Sequence, residues 1–172
     1  RSAQKDTPNE DAAALLPRND EAGVLLVCDG AGGLPAGEKA ARTAIECLAE
    51  EVERTAASET QLRTAILDGV ERANSRLLKE GLGSATTLVA VEIDGQSIRP
   101  CQSGDSQILI TGQRGRIKIQ TLSHSPVGFA FESGMLDESD ALHHEDRHLV
   151  SNLVGTTDMR IEIGPSLRLA RF

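Results

Sequence analysis

Acidic residues at three chain reversals could do chemistry. The first is Asp29, which closes the apolar run Val24-Leu-Leu-Val-Cys28 and is followed by Gly30-Ala-Gly-Gly33. A lone carboxylate at the end of a buried strand, beside a backbone carbonyl on a glycine turn, suits a hard divalent cation, which takes oxygen ligands. Glycines at 30, 32 and 33 let a ligand approach the main chain closely. The second acidic site is Glu10-Asp11 and the third is Asp105, inside Gly104-Asp-Ser106. Read singly, each is a turn former. Brought to one edge of a layered fold, they repel. At 4 Å and an effective dielectric near 20, two like charges cost about 4 kcal/mol. A cluster of this kind without basic partners implies a cation.

A second pattern competes. His144-Glu145-Asp-Arg-His148 matches H-E-x-x-H, in which two histidines on one helix face hold zinc and the glutamate is the base of a peptidase. The extended form with a third histidine is absent, and Asp146 and Arg147 make the segment read as a solvated polar helix. Glu162 is the one candidate third ligand, and it falls in an expected strand. His124 and His143 offer no better case as ligands.

Composition narrows the classes. The 172 residues carry 18 Lys+Arg against 26 Asp+Glu, a formal charge of −8. That balance argues against general binding to nucleic acid or anionic membranes. Aromatic residues are 2% of the chain, with no Trp or Tyr, which removes a base-stacking surface. No apolar run approaches the roughly 20 residues of a membrane span, and the polar start shows no signal peptide. Cys28, Cys47 and Cys101 are odd in number and lack metal or redox spacing, so they read as buried reduced thiols. Such thiols favour a reducing, intracellular setting, and the expected location is cytoplasmic.

The elements that must position the acids follow from periodicity. Ala12–Leu16 and 24–28 read as a hairpin across Pro17-Arg-Asn-Asp20. From Glu38 to about Arg54, apolar residues fall at helix spacing. Ser58 three residues before Gln61 predicts a capping box, opening a second helix that ends at Gly81. Ala85–Ile93 and Ser97–Ser103 flank Asp94-Gly95, a strong hairpin signal. Gly104-Asp105-Ser106 is a tight turn, and strands around 108–110 and 117–119 follow it. Residues 133–152 read as weakly helical, and 161–163 with 167–169 as a last hairpin around Gly164-Pro165. Helices in one block and antiparallel strands in another define an α+β pattern. Residues 1–172 are read as a single domain.

These residues resemble the metal-dependent protein Ser/Thr phosphatases of type 2C. The likeness is carried by Asn9-Glu-Asp11, Val27-Cys-Asp-Gly-Ala-Gly-Gly33 with Ala36-Gly-Glu38, Ser84-Ala-Thr-Thr-Leu88 and Ser103-Gly-Asp-Ser106. It continues through Leu122-Ser-His-Ser125, Gly134, His144, Arg147 and Gly155, which accounts for His144 and Arg147 without zinc. The resemblance implies a layered α-β-β-α sandwich of two antiparallel sheets flanked by helices, with two or three Mn²⁺ or Mg²⁺ ions at one edge and a phosphorylated protein as substrate. It implies that Asp29 bridges two ions and that the Gly30 carbonyl binds one. Glu10 then acts through a coordinated water, Asp11 supports the shell, and Asp105 serves a weaker third ion; Asp29 and Asp11 are the catalytic pair. Hydrolysis would be direct, by a water acidified between the ions.

The sequence also departs from the family's pattern. Asp6 stands where the family places a phosphate-holding arginine, with Lys5 and Arg1 nearby, so the phosphate-binding residue is open. Ala31 replaces the usual His or Met, and Ser123 the aspartate of D-H-S. The sequence stops at Phe172, before the family's late D-G and G-x-x-D-N carboxylates, so the domain is expected to lack its C-terminal part. The second reading is therefore a non-catalytic 2C-like module acting through protein contacts, a pseudophosphatase.

Overall fold

The structure is a computed structural model and describes residues 9–31, 34 and 36–169. Alternating burial along the first strands defines the architecture. In β1 (Asp11–Pro17) and β2 (Ala22–Asp29), every second residue turns inward, and Val24, Leu26 and Cys28 are each at most 1% exposed. These two strands pair antiparallel, and β3 (Leu88–Asp94) and β4 (Ser97–Ser103) continue the sheet in the order β1-β2-β3-β4.

The inward face is covered by two helices, α1 (Gly37–Thr55) and α2 (Leu62–Glu80). Ala40, Ala41, Ala44, Cys47 and Leu48 of α1 meet Ala65, Ile66, Val70, Ala73 and Leu77 of α2 in one core with Leu26, Leu88 and Ala90. The small side chains let the helices lie close. Outside the core, Arg72 pairs with Glu50 and Glu51 across the two helices. The expected neighbouring helices on one face are therefore observed, in an α+β fold with an antiparallel sheet. Cys28, Cys47 and Cys101 are free and buried, as expected, and burial pushes the Cys28 thiol up to about 12 and the Cys101 thiol up to about 11.

Three details differ from the sequence expectation. Ser58 does not cap α2: its hydroxyl donates to the Thr55 carbonyl and accepts from the Thr60 N–H, and the helix begins after Gln61. Arg18 fixes that connection, its Nη2 donating to the carbonyls of Thr55, Ser58 and Thr60. The last strands do not form a hairpin. β7 (Glu162–Ile163) and β8 (Leu167–Arg168) both lie antiparallel to β4, as one edge interrupted at Gly164-Pro165. Proline has no N–H for a ladder, which explains the break. Finally, 133–152 is helical only over α4 (Glu138–His143), while α3 (Pro126–Glu132) precedes it, capped by Ser125 with proline in its first turn. That Ser-Pro pair is a helix-start signal the sequence reading passed over.

The other face of the sheet is only partly covered. β5 (Leu109–Thr111) and β6 (Ile117–Gln120) form a separate two-stranded ribbon. On the β1–β2 side, Leu15, Leu25 and Val27 remain 69%, 43% and 46% exposed, beside a groove of about 540 Å³ that Val89, Val91 and Ile108 also line. No helix among the described residues is long and apolar enough to cross a membrane.

Leu26 and Leu25 thus test the two faces. Leu26→Ala should cost about 2–5 kcal/mol in urea unfolding. Leu25→Ala should cost less than about 1 kcal/mol in this chain, because its side chain is already half in water; equal losses would show that the outer face is covered in solution.

Candidate active site

The ladder between β1 and β2 places Asp11 directly opposite Asp29. Both follow the alternation of Leu15, Leu25 and Val27, so they stand at one end of the open face rather than over the helices. Like charges facing each other across a ladder are destabilising. Beyond them the pairing continues for one residue, as the Gly30 N–H donates to the Glu10 carbonyl at 3.2 Å. Glycine is required at position 30 for space. A Cβ there would lie 2.4 Å from the Gly37 carbonyl oxygen, at the start of α1. A Cβ on Gly37 would in turn stand 3.3 Å from Glu10 Oε1, so the Glu10 carboxylate rests against the same helix start.

Asp105 reaches this corner through hydroxyl contacts. The Thr87 N–H donates to the Asp29 carbonyl at 2.9 Å, and the Asp29 N–H donates to Thr87 Oγ1 at 3.1 Å. Thr87 Oγ1 also shares a 2.7 Å hydrogen bond with Ser106 Oγ. Thr86 Oγ1 adds a donor to the Asp29 carbonyl at 2.9 Å. The backbone of Asp29 is therefore latched to the residue that follows Asp105. Gly104 turns the chain there with φ of 108°, and a Cβ on it would lie 2.7 Å from Thr87 Cβ. The sequence reading placed Thr86, Thr87 and Ser106 in motifs without assigning them this latch.

The electrostatics follow from this placement. The Asp29 carboxyl is pushed up to about 6 from 3.8. Loss of water around it is the largest cause, although the residue as a whole is open to solvent. A hydrogen bond shared with the Asp11 carboxyl comes next, followed by the charges of Asp11, Asp105 and Glu10. The other three acids of the sequence reading thus all act on Asp29. None of the ion pairs among the described residues involves any of them. The donors are all oxygen, and their charge is uncompensated, which fits a hard divalent cation. The ligand count falls short of a closed shell, because no three His, Cys, Asp or Glu side chains among the described residues converge closely enough to hold an ion alone.

Other expected residues fall elsewhere. Arg1, Lys5, Asp6, Gly32, Gly33 and Phe172 lie outside the described residues. The Ala31 N–H donates to the Ala85 carbonyl at 2.9 Å, which holds the turn after Asp29 against the segment leading into β3. The zinc motif loses its geometry: α4 ends at His143, His144 has an extended ψ of 138°, and 145–148 form turns. His144 and His148 therefore do not share a helix face. His124, set aside as a ligand, is buried at the junction of the Gly104 turn with Asn152 and Glu162.

Set beside known proteins, this arrangement has a clear kin. The protein phosphatase 2C family profile matches residues 1–158, and the chain belongs to that family. It is 26% identical over 158 residues to a putative protein phosphatase 2C-type of Streptococcus pyogenes, covering 88% of this chain and 64% of that protein. It is 28% identical over 157 residues to the serine/threonine phosphatase stp of Listeria monocytogenes, covering 86% and 61%. Among solved structures, the serine/threonine phosphatase of S. agalactiae superposes with a TM-score of 0.83 at 26% identity, covering 97% of this chain and 71% of that one. A PPM Ser-Thr phosphatase of Mycobacterium smegmatis in complex with cacodylate superposes with a TM-score of 0.72 at 27% identity, over 91% and 65%. The chain spans about three fifths of the length of these curated relatives.

The raised Asp29 carboxyl sets a pH dependence. Below about 3.8, folded and unfolded chains both hold the proton. Between 3.8 and about 6, only the folded chain holds it, so stability falls as pH rises; above about 6 the full repulsion is present. Without divalent cations, the wild type should lose more melting temperature between pH 5 and pH 7 than Asp29→Asn does. Calorimetric scans in EDTA check this, and parallel profiles would reject the shared-proton pair.

Proposed function

We propose that the chain forms part of a metal-dependent phosphoprotein phosphatase domain, acting on phosphoserine or phosphothreonine. The observation that carries this reading is the crowding of Glu10, Asp11 and Asp105 around Asp29, without a basic partner among the described residues, in a chain of the phosphatase 2C family. Two or three Mn²⁺ or Mg²⁺ ions, when bound, acidify water and offset phosphate charge. Asp29 and the Gly30 carbonyl would offer direct oxygen ligands, Glu10 would act through a coordinated water, and Asp105 would serve a further, weaker ion. Asp11, directly opposite Asp29 in the ladder, would support the ligand shell. The structure of a Mycobacterium smegmatis relative in complex with cacodylate, a tetrahedral oxyanion, supports a phosphate-sized ligand for a protein of this fold.

The open face supports the rest of the architecture. Leu15, Leu25 and Val27 lie on the same face as Asp11 and Asp29. A second β layer packed there would complete the α-β-β-α sandwich of a single 2C-like domain and carry further carboxylates to the acids. The two fifths of the relatives' length outside the match have room for such a layer. A cytoplasmic location accords with three buried reduced thiols.

A non-catalytic 2C-like module is the second reading, favoured by Ala31, where a side chain able to protonate the leaving group is absent. Activity and metal binding separate the two. This 172-residue chain should hydrolyse p-nitrophenyl phosphate feebly with Mn²⁺, since a cation pair needs more oxygen ligands than these. Calorimetric titration should show Asp29→Asn losing more Mn²⁺ affinity than Asp105→Asn, because two ions depend on Asp29. Equal losses reject the assignment, and no Mn²⁺ binding in any form of the protein favours the non-catalytic module.

A further inference from the structure

His124 is 7% exposed, yet its ring makes three polar contacts. Nδ1 accepts from the Gly104 N–H at 3.2 Å and faces Asn152 Nδ2 at 2.9 Å. The Asn152 amide has a fixed sense, because its Oδ1 accepts from the Arg160 N–H at 2.9 Å and its Nδ2 donates to the Arg160 carbonyl at 2.7 Å. Both neighbours of Nδ1 are therefore donors, and Nδ1 carries no proton. The ring proton sits on Nε2, which donates to Glu162 Oε2 at 2.9 Å. The backbone joins in: the His124 N–H donates to the Gly104 carbonyl at 3.0 Å, and the His124 carbonyl accepts from the Ser151 N–H at 2.8 Å. Phe129 stacks at a centroid distance of 6.4 Å and closes one side of the ring.

Gly104 is thus gripped on both its N–H and its carbonyl by one residue that lies 20 positions away in the chain. The next residue is Asp105, and the one after, Ser106, is held to the Asp29 backbone through Thr87. We propose that His124 is the positioning residue of the Gly104-Asp105-Ser106 turn. Its Nε2–H tautomer, enforced by Asn152 and Glu162, fixes the direction from which the Asp105 carboxylate meets Asp29. His124 touches no reacting atom; it acts through the turn. A ring in the other tautomer would set Nδ1–H against the Gly104 N–H and push the turn off Thr87. The consequence for cation binding rests on the reading of Asp105 as ligand of the peripheral ion, whereas the consequence for the turn does not.

The test uses the full chain. In the wild type, the ¹⁵N shifts of the His124 ring should report a protonated Nε2 and an unprotonated Nδ1; a protonated Nδ1 overturns the proposal. Hydrogen exchange at the Gly104 amide should lose protection in His124→Phe and keep it in His124→Asn, whose Oδ1 replaces the Nδ1 acceptor. The Ala90 amide, within β3, serves as the control for intact folding. Gly104 protection that survives in His124→Phe overturns the proposal. In Mn²⁺ titrations, the weakest binding phase should weaken about 10–100-fold in His124→Phe, as expected for an outer-shell partner, and return in His124→Asn. An unchanged weak phase overturns the link to Asp105. If the wild type shows no such phase, the ligand role of Asp105 fails, and the ring tautomer and Gly104 exchange still decide the positioning role.

Discussion

The structure turns on the opposition of two carboxylates in the β1–β2 ladder. Asp11 and Asp29 face each other in the register that buries Val24, Leu26 and Cys28 against the helices. Slipping the pair by one residue would turn the apolar set toward water, so the repulsion is held in place by the core. The energy of the inner face maintains a strained outer corner. Gly30, the Thr87 hydroxyl and the Gly104 turn then fix that corner from three sides.

The two faces of the sheet divide the work. The inner face is closed by alanines and aliphatics of α1 and α2, and neither Asp11 nor Asp29 points into it. The outer face holds Asp11 and Asp29 at one end, with exposed Leu15, Leu25 and Val27 beyond them, while Glu10 rests against the start of α1. Charge and exposed apolar surface on one face make sense for a surface that something else completes. The ribbon of β5 and β6 and the segment around His124 are the described parts nearest to that task. They border the β3–β4 side, where Gln102 Nε2 donates to the carbonyls of Gly104 and Leu122.

How much of this was legible depended on the range of the interaction concerned. Helix and strand positions were readable where one side was buried, since periodicity records burial residue by residue. Asp29 and Asp105 were readable because each sits beside a glycine turn, a local signal, and Glu10-Asp11 through the motif it forms with Asn9. The α2 start was misread because Ser58 matched a cap while its hydroxyl was taken by neighbouring backbone, and Arg18, from another element, organised the connection. The final segments were misread as a hairpin because their partner, β4, lies some 60 residues upstream, where no local pattern points. Asp29 and Thr87 are 58 residues apart; a hydroxyl latch over that distance leaves no periodic trace. The histidine motif, already discounted in the sequence, fails for the opposite reason: its spacing is right, and the backbone beneath it is not helical.

The order of the sheet has a consequence for biosynthesis. β1, β2, β3 and β4 lie side by side in the order in which they leave the ribosome, and only the α1–α2 excursion separates β2 from β3. Each strand therefore meets its neighbour as soon as it emerges, and the two helices arrive in time to shield the apolar inner residues before β3 docks. The first hairpin brings Asp11 and Asp29 together long before Thr87 and Ser106 exist to restrain them. The nascent chain must carry that pair of charges unlatched, exposed to the salts of its surroundings, until Thr87 and Ser106 have been made.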